Sequence, residues 1–175
     1  VSLEHKLGIH ASPTCVMSFG DDGGAVGYLV GEEGRGLSYM FTMMNNARLS
    51  VGIQGLAIAE RAYQQAAAFA RPRVQSKDDG SPKPEAVAIV HHADVRRMLM
   101  TMRAQIEAMR VLGYYTAAGI DGALKHPDKE TARKTQDRVD LLIPIVKAWF
   151  TDLGNEIDTG AERILKWAPE GAHDY

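Results

Sequence analysis

Residues 37–73, LSYMFTMMNNARLSVGIQGLAIAERAYQQAAAFARPR, contain no proline before Pro72 and few β-branched residues. Met40, Met43, Met44, Ala47, Val51, Ile58, Ala62 and Ala66 recur there at helical spacing, which predicts one long helix ending at the Pro72 region. At about 1.5 Å of rise per residue it spans roughly 50 Å, more than a small domain needs for its own core, so it is expected to serve as a wall for other elements. Its middle carries Gly52, Gly55, Ala57, Ala59 and Ala62. Glycine lowers helix stability there but admits a neighbouring backbone or a flat ligand at close range. A tight helix crossing is the commoner use of such a stretch.

The flanking segments are organised around this helix. Two short apolar runs, 15–19 and 25–30, are separated by Gly20-Asp21-Asp22-Gly23-Gly24 and read as a hairpin-like pair of strands. Two strands are marginal in water and need something to lean on. Gly31-Glu32-Glu33-Gly34-Arg35-Gly36 lacks the Lys-Ser/Thr ending of a phosphate loop and reads as a flexible joint. Beyond Pro72, residues 76–86 read as an exposed loop. A second helix follows, capped by His92 or Asp94, with Val95, Met98, Leu99, Met102, Ile106, Met109 and Leu112 on one face. Its other face bears Arg96, Arg97, Arg103, Glu107 and Arg110, either an anion site or a solvated face. Residues 119–128 break the pattern. A third helix begins near 129–131, carries Val139, Leu142, Val146, Trp149, Phe150 and Leu153, and meets a possible kink at Pro144. The three helices are expected to form an antiparallel bundle. Residues 158–175 read as a divergent tail, with a short helix over 161–167 and a frayed end.

The 175 residues are 45% hydrophobic and 24% charged, enough for a domain with a real core and unlike a disordered chain. A net charge of −2 gives no global attraction to nucleic acid or to an anionic membrane. No stretch reaches the ~18 apolar residues of a membrane helix, and VSLEHKLGIHASPT at the start does not resemble a secretory leader. The chain opens without Met, as a piece of something longer or a processed product would. Cys15 is the single cysteine, which fits a reducing compartment, the cytoplasm by default. It sits in an apolar run and reads as a buried, inert thiol. His91 and His92 diverge by about 100° on a helix, and His5 and His10 have no ligand partner at a recognisable spacing, so no metal is expected. Ser12 and Thr14 offer hydroxyls in a turn. Taken alone, these residues do not specify a chemistry.

EHKLGIHASPTCVMSFGD, GYLVGEEGRGL, MFTMMNNARLSVGIQGLAIAERAYQQA and HHADVRRMLMTMRAQIEAMR together resemble the acyl-CoA dehydrogenase family. The likeness is greatest to its branch with an enlarged carboxy-terminal region, which includes 3-methylmercaptopropionyl-CoA dehydrogenases. It extends from Val1 to about Ile157. The resemblance implies that 1–36 is the end of a β-domain with its connector and that 37–157 belongs to a carboxy-terminal helical bundle, making the chain mainly α. It also implies FAD as cofactor, an acyl-CoA thioester as substrate oxidised at Cα–Cβ, a homo-oligomer, and an electron-transfer partner.

Residue by residue, the resemblance places Asn45 and Arg48 at the helix start that contacts the CoA portion of the substrate. Ser12 is placed near the acyl-CoA, Thr14 near the flavin, and Arg73 on the flavin diphosphate of a neighbouring subunit. A planar guanidinium suits that anion because it donates two parallel bonds. The family's flavin-contact segment and its catalytic glutamate have no counterpart in 158–175, and Ala47 stands where some relatives carry the base just before the arginine. No residue is therefore expected to be catalytic. The expected function is that of an acyl-CoA dehydrogenase present as a fragment, inactive alone. The alternative is a non-catalytic helical module for oligomerisation or interaction.

Overall fold

A computed structural model describes residues 2–77 and 85–167. Its elements are β1 (Ser2–Leu3), β2 (Cys15–Val16), α1 (Gly36–Ala70), a 3-10 turn (Ile89–His91), α2 (Ala93–Lys125) and α3 (Lys129–Leu165). The architecture is mainly α. Two compact units divide the chain at Met40/Phe41.

In the first unit, β1 pairs antiparallel with β2, Ser2 opposite Val16 and Leu3 opposite Cys15. This corrects the expected pairing of 15–19 with 25–30. The glycines do turn the chain: the Gly24 N–H donates to the Gly20 carbonyl at 3.2 Å, and Gly20, Gly23 and Gly24 all take positive φ. The following run forms no strand, and Val26, Tyr28, Leu29 and Val30 stay exposed. Alternation sets a strand's register only where one face is buried, and this unit contains no buried residue among those described. Cys15 is accordingly free and exposed, not buried as its apolar run suggested. The connector is a turn, with the Tyr39 hydroxyl accepting from the Glu32 N–H at 3.2 Å and the Arg35 N–H donating to the Glu32 carbonyl at 3.2 Å.

The second unit is the helical bundle. Gly119 lies against Val139 and Gly113 against Phe150, so α2 and α3 run antiparallel, joined by a turn over 126–128. Glu60 pairs with Arg110 and Gly113 lies against Ile53, so α1 and α2 are antiparallel as well. Gly52 packs on Val146 and Gly55 on Phe150, which makes α1 and α3 parallel. The core joins Leu56, Ala59, Ala62, Ala66 and Ala70 of α1 to Val95, Met98, Met102, Ile106 and Met109 of α2 and Val146, Phe150, Leu153 and Ile157 of α3.

The α1 face that enters this core is not the one the large apolar residues suggested. Met43 (67% exposed), Val51 (38%) and Ile58 (57%) remain outside, while Gly52, Gly55, Leu56 and Ala59 are buried. Ile58 and Ala59 differ by one residue, about 100° of helix. Burial goes to the small side chains because they let the backbones meet. A Cβ on Gly55 would lie 2.6 Å from the Phe150 carbonyl oxygen, and one on Gly154 would lie 3.3 Å from the Gly55 carbonyl oxygen.

α2 continues to Lys125, through Gly119 and Gly122 where a break was expected. Tertiary contact outweighs the local cost of glycine, since a Cβ on Gly119 would reach within 2.8 Å of the Val139 side chain. His92 occupies the N-cap position without a side-chain cap bond. α3 also runs further than expected, unbroken through Ile157 and Asp158 to Leu165, with Ile157, Ala161 and Ile164 buried. Pro144 lies within it on the exposed side, where the carbonyl left without an N–H partner one turn earlier faces water. Much of the expected 76–86 loop and the expected frayed end after Trp167 lie outside the described residues.

Asp128 starts α3: its carboxylate accepts from the Thr131 N–H at 2.8 Å and the Thr131 hydroxyl at 2.5 Å. The Thr131 hydroxyl first, then the Thr131 N–H, hold this carboxyl below its ordinary range. A carboxylate with a lowered native pKa contributes stability above its unfolded pKa and loses it as pH falls through the native one. Replacing Asp128 with Asn, which caps without titrating, is expected to flatten the decline in melting temperature below about pH 4; an unchanged acid limb would contradict this. The crossing gives a test of sign. Helix propensity alone predicts that Gly55→Ala stabilises by about 1 kcal/mol, whereas the backbone clash predicts a net loss of about 1–3 kcal/mol. Urea unfolding of this variant beside Gly36→Ala, whose added Cβ meets nothing within 4 Å, decides between them.

Candidate functional site

The candidate residues fall into three groups. Ser12 and Thr14 belong to the first unit and are exposed. Their backbones hold the turn together: the Ser12 carbonyl accepts from Lys6 Nζ at 2.6 Å, and the Thr14 carbonyl accepts from the Glu4 N–H at 2.8 Å. The two hydroxyls have no protein partner among the described residues and remain available as donors.

Asn45 and Arg48 lie three residues apart on α1, both half-buried. Arg48 Nη1 reaches Asn45 Oδ1 at 3.4 Å, and its guanidinium lies 5.9 Å from the centre of the Phe41 ring. The aromatic face and the amide oxygen orient the cation without neutralising it. Helical spacing thus brings these two candidates together.

Arg73 stands beyond the other end of α1. Twenty-two residues separate Arg48 from Ala70, about 33 Å of helix rise, so one chain does not unite Arg48 and Arg73 in one site. The Arg73 side chain is exposed, and its Nη2 lies 3.3 Å from Gln75 Oε1.

The arginines of α2 behave differently. Arg97 pairs with Asp94 at 2.6 Å, Arg103 pairs with Glu107, and Arg110 pairs with Glu60 at 2.7 Å. A hydrogen bond with Tyr114, then the charge of Glu60, raise the Arg110 pKa from its ordinary value against the cost of burial. Carboxylates already occupy three of the four arginines considered as an anion site, so this face is a paired, solvated one. Arg48 and Arg73, by contrast, have no carboxylate partner among the described residues.

Two features were not anticipated from the sequence. An open groove of about 230 Å³ between α2 and α3 is lined by Ala118, Gly119, Val139 and Leu142, with Arg138 donating to the Tyr115 hydroxyl at 2.7 Å on its edge. The second is the hydrogen bond between the His92 ring and the Gln75 carbonyl, two residues after Arg73, with that ring resting on Trp167. The adjacent histidines had been weighed as metal ligands, and His92 as a helix cap. Among the described residues no three His, Cys, Asp or Glu side chains converge as a metal site, and no helix is long and apolar enough to cross a membrane.

Known proteins are similar to this chain in sequence. Residues 34–157 match the family profile described as "Acyl-CoA dehydrogenase, C-terminal domain". The chain is 49% identical over 157 residues to 3-methylmercaptopropionyl-CoA dehydrogenase of Ruegeria pomeroyi, covering 90% of this chain and 26% of that protein. It is 36% identical to a butyryl-CoA dehydrogenase of Syntrophomonas wolfei, over 86% of this chain and 26% of the relative. It is 38% identical to a broad-specificity linear acyl-CoA dehydrogenase of Mycobacterium tuberculosis, over 83% and 25% respectively. The chain spans about a quarter of the length of these curated relatives. A profile match over most of the chain, on the same helices that form the bundle, shows that this chain belongs to the acyl-CoA dehydrogenase family and carries that family's carboxy-terminal domain.

Proposed function

We propose that this chain is part of an FAD-dependent acyl-CoA dehydrogenase of the cytoplasm, a homo-oligomer that oxidises the Cα–Cβ bond of an acyl-CoA thioester and passes electrons to a partner protein. The observation that carries this reading is the match of residues 34–157 to the family's carboxy-terminal domain, and the arginines are consistent with it. Arg48 and Arg73, which the family resemblance assigns to anionic ligands, have no carboxylate partner among the described residues, whereas Arg97, Arg103 and Arg110 of α2 are paired. A diphosphate needs forked, exposed cation donors, and Arg73 provides one beside the Gln75 amide side chain. The residues present therefore suit the phosphate portion of FAD.

In this reading Arg73 holds the FAD diphosphate, and Arg48, oriented by Phe41 and Asn45, holds the phosphate-rich CoA portion of the substrate. The hydroxyls of Ser12 and Thr14 donate to the acyl-CoA and flavin respectively. When bound, FAD supplies the acceptor for the two electrons and the Cβ hydrogen leaving the acyl chain. No described residue is assigned the removal of the Cα proton; Ala47, immediately before Arg48, carries no group that can accept one. The chain's own part is binding and orientation, and by itself it is inactive.

A second reading, a non-catalytic helical module for oligomerisation or interaction, is favoured by the exposed α1 stripe of Met43, Val51 and Ile58, turned away from the bundle core. One measurement separates the two. The chain is incubated with FAD and desalted, and its visible absorbance is recorded together with its mass by light scattering. Near-stoichiometric flavin, reduced at least tenfold by Arg73→Ala and less by Arg73→Lys, is the expected result. A colourless, self-associated parent would support the module instead, and equal retention by Arg73→Ala would remove Arg73 from the site.

A further inference from the structure

The peptide bearing Arg73 is not a free helix end. The Arg73 N–H donates to the Phe69 carbonyl at 3.4 Å, and its own carbonyl accepts from the Ile89 N–H at 2.7 Å. The Gln75 N–H donates to the Val87 carbonyl at 3.0 Å, and the Val87 N–H donates to the Ser76 carbonyl at 2.9 Å. Val74 and Ala88 thus face each other as an antiparallel bridge. Ser76 takes φ of +60°, a left-handed conformation that a non-glycine residue adopts only when its surroundings impose it.

The Gln75 carbonyl is held from elsewhere. His92 Nε2 lies 2.8 Å from it, and because a carbonyl only accepts, Nε2 carries the hydrogen. His92 is 7% exposed. Its ring stacks on Trp167 with centroids 4.5 Å apart and planes 36° from parallel, and Trp167 itself packs against the bundle core. The start of α2, the end of α3 and the peptide after α1 therefore meet at one imidazole. A solvent-facing donor would be exchanged for water at little cost, but this one is buried and seated on an indole that limits its rotation.

We infer that His92, backed by Trp167, is a positioning residue for flavin binding: by fixing the Gln75 carbonyl it sets the direction in which the Arg73 guanidinium leaves the bundle. This rests on the reading of Arg73 as the diphosphate contact. It also gives the segment after residue 157, which lacks the family's flavin-contact motif, a role in the same cofactor site through Trp167.

The test uses His92→Phe, which keeps a ring on Trp167 but removes the donor, and His92→Gln, whose amide can donate to the same carbonyl. FAD affinity of the folded protein is measured by fluorescence titration, and exchange of the Val87 and Ile89 amides by NMR. His92→Phe is expected to weaken FAD binding by roughly five- to tenfold, on the scale of one hydrogen bond, and to speed both amides, with His92→Gln restoring each. A lowered melting temperature in His92→Phe with parental FAD affinity would mean that His92 is merely structural, and would overturn the inference. If Arg73→Ala weakens binding and His92→Phe does not, the inference alone fails. If Arg73→Ala binds as tightly as the parent, the reading of Arg73 fails and takes the inference with it.

Discussion

The backbone contact between α1 and α3 governs the rest of this domain. With 2.6 Å between the Phe150 carbonyl oxygen and any Cβ that Gly55 might carry, the two helices meet at a point where only glycine is accommodated. That contact fixes which face of α1 is inward and seats Phe150 at full burial. The alanines at 59, 62, 66 and 70 extend it toward the helix end as a ladder of small buried residues. The cost of glycine in a helix interior, about 1 kcal/mol, is offset by dispersion and apolar burial along the whole crossing.

From this follow the positions of the candidate binding groups. α1 is a single helix of 35 residues, held in its middle, so Arg48 on it and Arg73 just beyond its end are kept far apart. Each is also oriented by its own local device. Arg48 has an amide one helical turn away and an aromatic ring two turns away, whereas the Gln75 carbonyl after Arg73 is held by His92 at the start of α2, which rests on Trp167 at the end of α3. In the proposed reading, a domain built in this way contributes to two distinct ligand contacts. The exposed apolar stripe of α1 fits the same logic, since a wall helix has more than one face to offer.

Much of this was legible in the sequence. The order of the helices, the length of α1, the apolar face of α2 and the close crossing at Gly52 and Gly55 follow from periodicity and residue size. What was misjudged shares one cause. The helical spacing of Val51 and Ile58 did not show which face of α1 is inward, Gly119 was taken as a breaker by propensity, and Asp158 as an end by departure from the family's pattern. In each case long-range packing decided the outcome: α3 occupies the glycine face, Val139 fills the space beside Gly119, and Ile157, Ala161 and Ile164 give the last turns of α3 a buried side. The strand pairing failed for the converse reason, because no core in that unit selects a register. The candidate site was legible as residue types, Arg48 beside Asn45 and a lone Arg73, but the His92–Trp167 support joins residues 75 apart and has no local signature.

The central claim is that Arg48 on α1 and Arg73 just beyond its end are two separate anion contacts. Calorimetric titration of the parent, Arg48→Ala and Arg73→Ala with FAD and with coenzyme A tests it most directly, since both ligands carry an adenosine diphosphate portion and would compete for one shared site. Loss of FAD affinity confined to Arg73→Ala, and of coenzyme A affinity confined to Arg48→Ala, is the predicted result. Equal loss of both affinities in either variant, or displacement of one ligand by the other, would contradict it.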